Sequence, residues 1–368
     1  MEDAFKGFYS GKKVIVTGHT GFKGGWLAIW LKELGADVLG YSLDPPTQPS
    51  VLDVTGLGKR IKDVRGDILD FEHLTKVFED FKPEIVFHLA AQPLVRLSYE
   101  IPRLTLETNV MGTVNVLEAV RNSPSVMSLV SVTSDKCYQN REQVWGYKED
   151  DPMGGDDPYS ASKGAIELVF RGYLRSYFIH RDGFGATTVR AGNVIGGGDW
   201  AKDRIVSDSI RALAGGKPIE VRNPYAIRPW QHVLEPLGGY LWLAARLSED
   251  PHGFSGGWNF GPSDSSAKCV SDLVEAILKE WKSGEWIDIS DKNDKKLHEA
   301  GWLRLSCDKV HMMLPWSASL SFEENIRMTV QWYKYYYDFK DANLYQYCVH
   351  QIREYTKLAA SRGQMWAQ

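Results

Sequence analysis

Cysteine is scarce: four in 368 residues, Cys137, Cys269, Cys307 and Cys348, far apart and with no Cys-x-x-Cys pair. That excludes a disulfide framework and a zinc site of clustered thiolates, so no metal site is expected, and free thiols suit a reducing cytoplasm. Basic excess is missing too. Lys and Arg number 43 against 47 acidic residues, a formal net charge of -4, which argues against a general nucleic-acid binder and leaves a small molecule as the expected partner. No uncharged run is long enough to cross a bilayer, and the first eleven residues hold Glu2, Asp3 and Lys6 without an apolar stretch. Neither export nor membrane insertion is expected. What is present is a globular composition, 43% hydrophobic and 24% charged, at a length that favours two lobes.

The chain opens with a β-branched run, Lys12-Lys13-Val14-Ile15-Val16-Thr17, followed at once by Gly18-His19-Thr20-Gly21-Phe22-Lys23-Gly24. Behind it Trp26, Leu27, Ile29, Trp30, Leu31 and Leu34 recur at helical spacing and stop at Gly35, a residue favoured just past a helix end. Glycine triplets also punctuate ordinary turns. Between a buried strand and an amphipathic helix, however, small residues let backbone approach a dinucleotide pyrophosphate over a helix N-terminus. The next strand, Asp37 to Ser42, ends where the adenosine ribose should lie, at Ser42; Asp44 is the nearest acid at that end. No arginine adjoins it in sequence to welcome a ribose phosphate, which favours NAD over NADP.

The pattern repeats with strand Asp63 to Ile68, helix Phe71 to Phe81, strand Glu84 to Ala91, helix Leu106 to Arg121, strand Met127 to Val132 and strand Ala186 to Ala191. This alternation predicts an α/β fold, a Rossmann-type doubly wound parallel sheet with a smaller mixed α/β substrate-binding domain. Residues 1–192 would bind the cofactor, with a return segment near 225–250, and 193–368 would form the substrate lobe and a C-terminal helical extension. Ligands lie outside the carboxyl ends of such strands, so topology alone carries Thr133, Ser134, Asp135 and Lys136 to the cleft. His88 is expected to be a packed, satisfied histidine. In Pro158-Tyr159-Ser160-Ala161-Ser162-Lys163, Tyr159 and Lys163 are four apart and share a helix face. A lysine there would lower the phenol's pKa and make a tyrosine base. The alternative is an ordinary surface helix, with Ser134-Asp135 a turn or cap and Lys136 a solvated charge.

Taken in order, Thr17 to Gly24, Leu89-Ala90-Ala91, Asn109 and Tyr159-x-x-x-Lys163 resemble the extended short-chain dehydrogenase/reductase family of nucleotide-sugar enzymes, from Lys12 to about Trp332. Within it, Gly18 to Gly24, Ala91 to Arg96 and Thr133 to Tyr138 are most similar to the branch that dehydrates CDP-glucose. The resemblance implies a lyase that removes water from the sugar of CDP-glucose, with bound NAD taking a hydride from carbon 4 and returning it to carbon 6, for deoxysugar synthesis. Tyr159 would be the base at the carbon 4 hydroxyl, Lys163 its partner on the nicotinamide ribose, and Ser134 a hydrogen-bond donor to the same oxygen. Asp135 would be the acid for the leaving water and Lys136 the base at carbon 5. Cofactor contacts would come from Gly18, Thr20, Gly21, Phe22, Lys23, Gly24, Ser42, Asp67, Ile68, Leu89, Ala90, Ala91, Asn109 and Val132, besides Tyr159 and Lys163. Substrate contacts would come from Gln92, Arg96, Asn193, Arg204, Arg228 and Asn259, with Arg228 clamping the pyrophosphate. The helices Val110 to Arg121 and Ala165 to Tyr177 would pair across a two-fold axis in a homodimer or homotetramer. A dehydratase for dTDP- or GDP-sugars, a 4-epimerase and a non-catalytic NAD-binding regulator are the alternatives. The tryptophan- and tyrosine-rich stretch from 263 onward is expected to be core or subunit contact, and the tail from Ala342 a helical appendage at an interface.

Overall fold

The computed structural model describes residues 4–263, 266–290 and 302–368. Seven strands form its main sheet: β1 Lys13–Thr17, β2 Asp37–Ser42, β3 Lys62–Arg65, β4 Ile85–His88, β5 Ser128–Val132, β6 Gly185–Arg190 and β7 Gly256–Asn259. They run parallel in the order β7-β6-β5-β4-β1-β2-β3. The connection reverses between β1 and β4, which opens a crevice at their carboxyl ends. The parallel arrangement demands cover on both faces, and successive side chains supply it by alternating. Ile15, Val86 and Leu129 face a layer formed by helices Phe71–Phe81, Gly112–Arg121 and Pro158–Ser176. Val14, Val16, Phe87 and Val130 face the opposite layer, which holds helices Phe22–Glu33 and Leu234–Glu249.

The helix expected from Leu106 to Arg121 is interrupted by a π-helical turn at Glu107–Met111, and that turn aims Asn109 at the catalytic helix. Beyond residue 192 the elements are short. Val194–Ile195 pairs with Gln231–His232, Ile227–Pro229 with Ala267–Cys269, and Ile219–Val221 with Trp286–Asp288. Trp316, Trp332 and Tyr333 are buried, so this part of the aromatic stretch is core. The tail forms helix Leu344–Ser361, and it packs on its own chain. Tyr345 donates to Glu33 Oε1 at 2.9 Å, and Tyr355 and Trp366 stack beside Trp30.

Candidate active site

The glycine turn is built for close approach. A Cβ at Gly24 would lie 2.2 Å from Gly18 O, and one at Gly18 would lie 2.7 Å from Ala90 N, across the crevice. Gly21 caps helix Phe22–Glu33 with no side-chain hydrogen bond, so the first-turn N–H groups are left to an anionic ligand. A dinucleotide diphosphate fits this cradle. Thr20 and Ser42 hydroxyls meet at 2.8 Å where the ribose is expected. The arginine that the sequence neighbourhood lacks is supplied by the next strand: Arg65 Nε lies 3.6 Å from exposed Asp44, because β2 and β3 pair Ser42 with Arg65. Absence of a nearby arginine therefore gives no argument for NAD. Asp67 accepts from Leu69 N at 2.9 Å, and buried Ile68 packs beneath Gly112 at the end of β3. Leu89 N reaches Thr17 O at 3.1 Å and Ala90 N reaches Thr17 Oγ1 at 3.2 Å, while Ala91 and Val132 are half-buried at their strand ends.

The catalytic candidates converge. Helix Pro158–Ser176 begins at Asp157, whose carboxylate caps Ser160 N, with Pro158 at the first helical position. Tyr159, Lys163 and Glu167 follow on one face. Ser134 ends the β5 loop, accepts from Lys136 N at 3.2 Å and donates to Asp135 Oδ1 at 2.9 Å. Asp135 is buried against Gly192, where a Cβ would sit 1.9 Å from its Oδ2. Lys163 Nζ stands 5.8 Å from the Tyr159 ring centroid. The expected lowering of the phenol is not what this arrangement produces: burial pushes Tyr159 up to about 12, with Ser134 and Arg204 opposing. Burial also brings Lys163 down to about 8. The same loss of water that positions the pair disfavours both charges.

The substrate candidates divide. Arg204 reaches Asp199 at 2.6 Å and its charge acts on Tyr159. Arg96 lies 3.8 Å from Asp203. Arg228 donates to Ile227 O at 2.9 Å, and Asn193, in a left-handed conformation at φ 51°, follows Gly192 at the cleft. Gln92 and Asn109 are engaged within the protein. The Gln92 side chain bonds Leu94 and Thr105, and Asn109 Oδ1 accepts from Gln92 N at 2.8 Å while its Nδ2 donates to Ser162 at 2.9 Å. Asn259 is not brought to the cleft: it is fully buried, bonding Tyr138 at 2.8 Å and the carbonyls of Tyr147 and Ser306. His88 lies between Thr17 at 2.7 Å and Thr113 at 3.0 Å, and burial brings it down to about 3, a neutral packing residue as expected.

Sequence reasoning missed the support beneath the site. Glu167 accepts from Thr133 at 2.5 Å, from Thr188 at 2.7 Å and from Arg190 at 2.7 and 2.8 Å, and Arg190 in turn donates to Tyr138. This buried ion pair fixes the loop that carries Ser134. Its spacing, four residues after Lys163, was the available signal. A cleft beside Asp135 is lined by Gly192, Gln231, Pro262, Leu303 and Leu305.

A doubly wound sheet with a glycine-capped helix and a Ser-Asp-Tyr-Lys cluster at the switch point defines an extended short-chain dehydrogenase/reductase of the nucleotide-sugar class. The chain belongs to the GDP-mannose 4,6 dehydratase family, whose model matches residues 15–329. It is 51% identical over 334 residues to a CDP-glucose 4,6-dehydratase of Salmonella typhimurium, covering 89% of this chain and 92% of that one. A probable dTDP-glucose 4,6-dehydratase of Sinorhizobium fredii is 28% identical over 87% of this chain and 92% of its own. The fold also matches a Bacillus anthracis dTDP-glucose 4,6-dehydratase in complex with NAD, with TM-score 0.70, 21% identity, and coverage of 87% of this chain and 96% of that one.

Proposed function

We propose that the chain is an NAD-dependent lyase that converts CDP-glucose to CDP-4-dehydro-6-deoxyglucose and water. The observation that carries this is the hydrogen bond from Ser134 to buried Asp135, with the Tyr159 phenol feeling both side chains, an acid near a phenol base. An epimerase needs the base alone. The 51% identity to a CDP-glucose dehydratase favours that substrate, and the division into a cofactor part, 1–192 with a return segment near 225–250, and a substrate part in the rest beyond 192 belongs to the same reading, except that strand Gly256–Asn259 also joins the main sheet. Gly18, Gly21, Gly24, Thr20 and Ser42 would hold the diphosphate and ribose of NAD, and Lys163 the nicotinamide ribose. Bound NAD would supply a hydride acceptor and, when oxidised, a positive charge near the phenol. Tyr159 Oη takes the proton of the carbon 4 hydroxyl, and Ser134 Oγ steadies that oxygen as it becomes a carbonyl. Lys136 would take the proton of carbon 5, the C–H pair becoming the carbon 5–carbon 6 double bond, as Asp135 gives its proton to the departing carbon 6 hydroxyl, which leaves as water. Arg204 and Arg228 would meet the substrate diphosphate. Incubation with CDP-, dTDP-, UDP- and GDP-hexoses, followed by alkali, tests this through the absorbance of a 4-keto sugar. The expected result is product from CDP-glucose; none from it overturns the reading.

A homodimer or homotetramer is part of the proposal. Leu104, Met111 and Leu168 are exposed on the helices flanking the active site, and sedimentation at micromolar concentration should show a species larger than one chain.

A further inference from the structure

The short strand Gln231–His232 pairs with Val194–Ile195, just past Gly192. It carries Gln231, fully buried, to the cleft that Asp135 also lines. The Gln231 amide is held from two sides, since Nε2 donates to Gly192 O at 3.1 Å and to Phe260 O at 3.2 Å. Two carbonyl acceptors fix which end of the amide is which, because Oε1 turned toward them would set oxygen against oxygen. Oε1 is buried and has no hydrogen-bond partner among the described residues. A buried acceptor without a donor is unfavourable, and a native structure that keeps one has a use for it. The cleft supplies that use. Gly192 joins its two polar walls: the carbonyl holds the Gln231 amide, and a Cβ on the same residue would lie 1.9 Å from Asp135 Oδ2. Leu303 and Leu305 add apolar wall. The cavity has a volume of about 20 Å³, room for one water-sized group. A carbon 6 hydroxyl, and the water it becomes, are groups of that size.

Building on the dehydratase reading, we propose that Gln231 Oε1 accepts a hydrogen bond from the carbon 6 hydroxyl of the substrate and holds that leaving group toward Asp135. A hydroxyl has one proton to donate and two lone pairs to offer. Giving its proton to Gln231 turns a lone pair to Asp135 and makes the oxygen easier to protonate. In the elimination Lys136 takes the carbon 5 proton, the C–H pair becomes the carbon 5–carbon 6 double bond, and the carbon 6–oxygen bond breaks with its electron pair going to oxygen. That oxygen takes the proton of Asp135 and leaves as water, one O–H still on Gln231 and the new one on the Asp135 carboxylate. Positive charge builds on the oxygen as the proton arrives, so its bond to Oε1 is stronger in the transition state than in the bound substrate, which is the condition for raising kcat. Oxidation at carbon 4 does not involve this contact.

The test compares the wild type with Gln231→Met and Gln231→Leu, which lack the acceptor oxygen, on CDP-glucose and on CDP-6-deoxy-6-fluoroglucose. Fluoride has no hydroxyl proton to place and leaves with little need of an acid, so the second substrate bypasses the contact. With NAD saturating, formation of reduced nicotinamide, appearance of the 4-keto-6-deoxy product and release of fluoride are followed. Both variants should reduce nicotinamide at near the wild-type rate and accumulate it on CDP-glucose, where elimination of water falls about 100-fold. Release of fluoride should stay within a few-fold of wild type. Equal losses on the two substrates would make Gln231 a packing residue and overturn the assignment, as would slow reduction of nicotinamide in both variants. Wild type inactive on CDP-glucose would remove the dehydratase reading and this inference together; active wild type with equally active Gln231 variants removes the inference alone.

Discussion

Gly192 offers a way to move the proposed acid while leaving the fold in place. A methyl at this position would lie 1.9 Å from Asp135 Oδ2 and 2.4 Å from its Cγ. A carbon–oxygen contact needs about 3.3 Å, so the carboxylate must retreat by roughly 1.4 Å in Gly192→Ala. The obstacle is the movable end of a side chain, so the cost in stability should stay within the ~1–3 kcal/mol of ordinary overpacking. The cost in rate is larger. A misplacement of about 1 Å at a reacting group is worth ~10²-fold, or about 2.7 kcal/mol of barrier. Because Ser134 donates to Asp135, the oxidation at carbon 4 should slow slightly and the elimination should slow most. Gly192→Ala should bind NAD normally, accumulate reduced nicotinamide on mixing with CDP-glucose, and show kcat lowered about 100-fold. Turnover within a few-fold of wild type, in a variant whose melting temperature is also unchanged, would refute Asp135 as the acid held by this contact.

Two other buried carboxylates give predictions of a different kind. Glu167→Ala leaves Arg190 buried without its partner, since both side chains are 4% exposed. Urea unfolding should show a loss of about 3–5 kcal/mol; a loss below about 1 kcal/mol would mean that water replaces the carboxylate. Glu235 accepts from Ser319 N at 2.7 Å, Leu320 N at 2.5 Å and Tyr355 at 2.7 Å, and burial pushes it up to about 7 from 4.5. The folded state therefore holds a proton that the unfolded chain releases. Its contribution is full below about pH 4.5 and is lost as pH rises through about 7, on the order of 3 kcal/mol. Melting curves at pH 5 and pH 8 should differ less in Glu235→Gln than in wild type; an unchanged difference would assign the pH dependence elsewhere.

What could be read from the sequence was what local spacing determines. The β-branched run before Gly18, the four-residue step from Tyr159 to Lys163 and the alternation of strands and helices each depend on neighbours in the chain, and the sheet and the helix face follow from them. What could not be read depends on which strands lie side by side. Arg65 comes to Asp44 only because β3 pairs with β2 in one register. Asn259 looks like a strand-end ligand until Tyr138, Tyr147 and Ser306 close over it. Gln92 and Asn109 spend their amides on each other's loops because a π-helical turn, invisible to a 3.6-residue period, rotates Asn109 inward.

The tail is the instructive case, because its place was implied by residues far from it. Helix Phe22–Glu33 buries every residue from Trp26 to Leu31. A helix that is apolar all round must be covered all round. Trp26 is met by Gly197 and His232, and the Trp30 indole requires another element. Leu344–Ser361 is that element, with Tyr345 on Glu33 and Tyr355 against Trp30. It also closes a longer path, since Tyr355 holds Glu235, at the start of the helix that follows Arg228 and Gln231. The helix whose N-terminus is proposed to receive the diphosphate and the segment that carries the proposed substrate arginine are thus held by one appendage. A continuous apolar run in a cofactor helix should therefore be read as a demand for a second layer, met here by the last twenty-five residues.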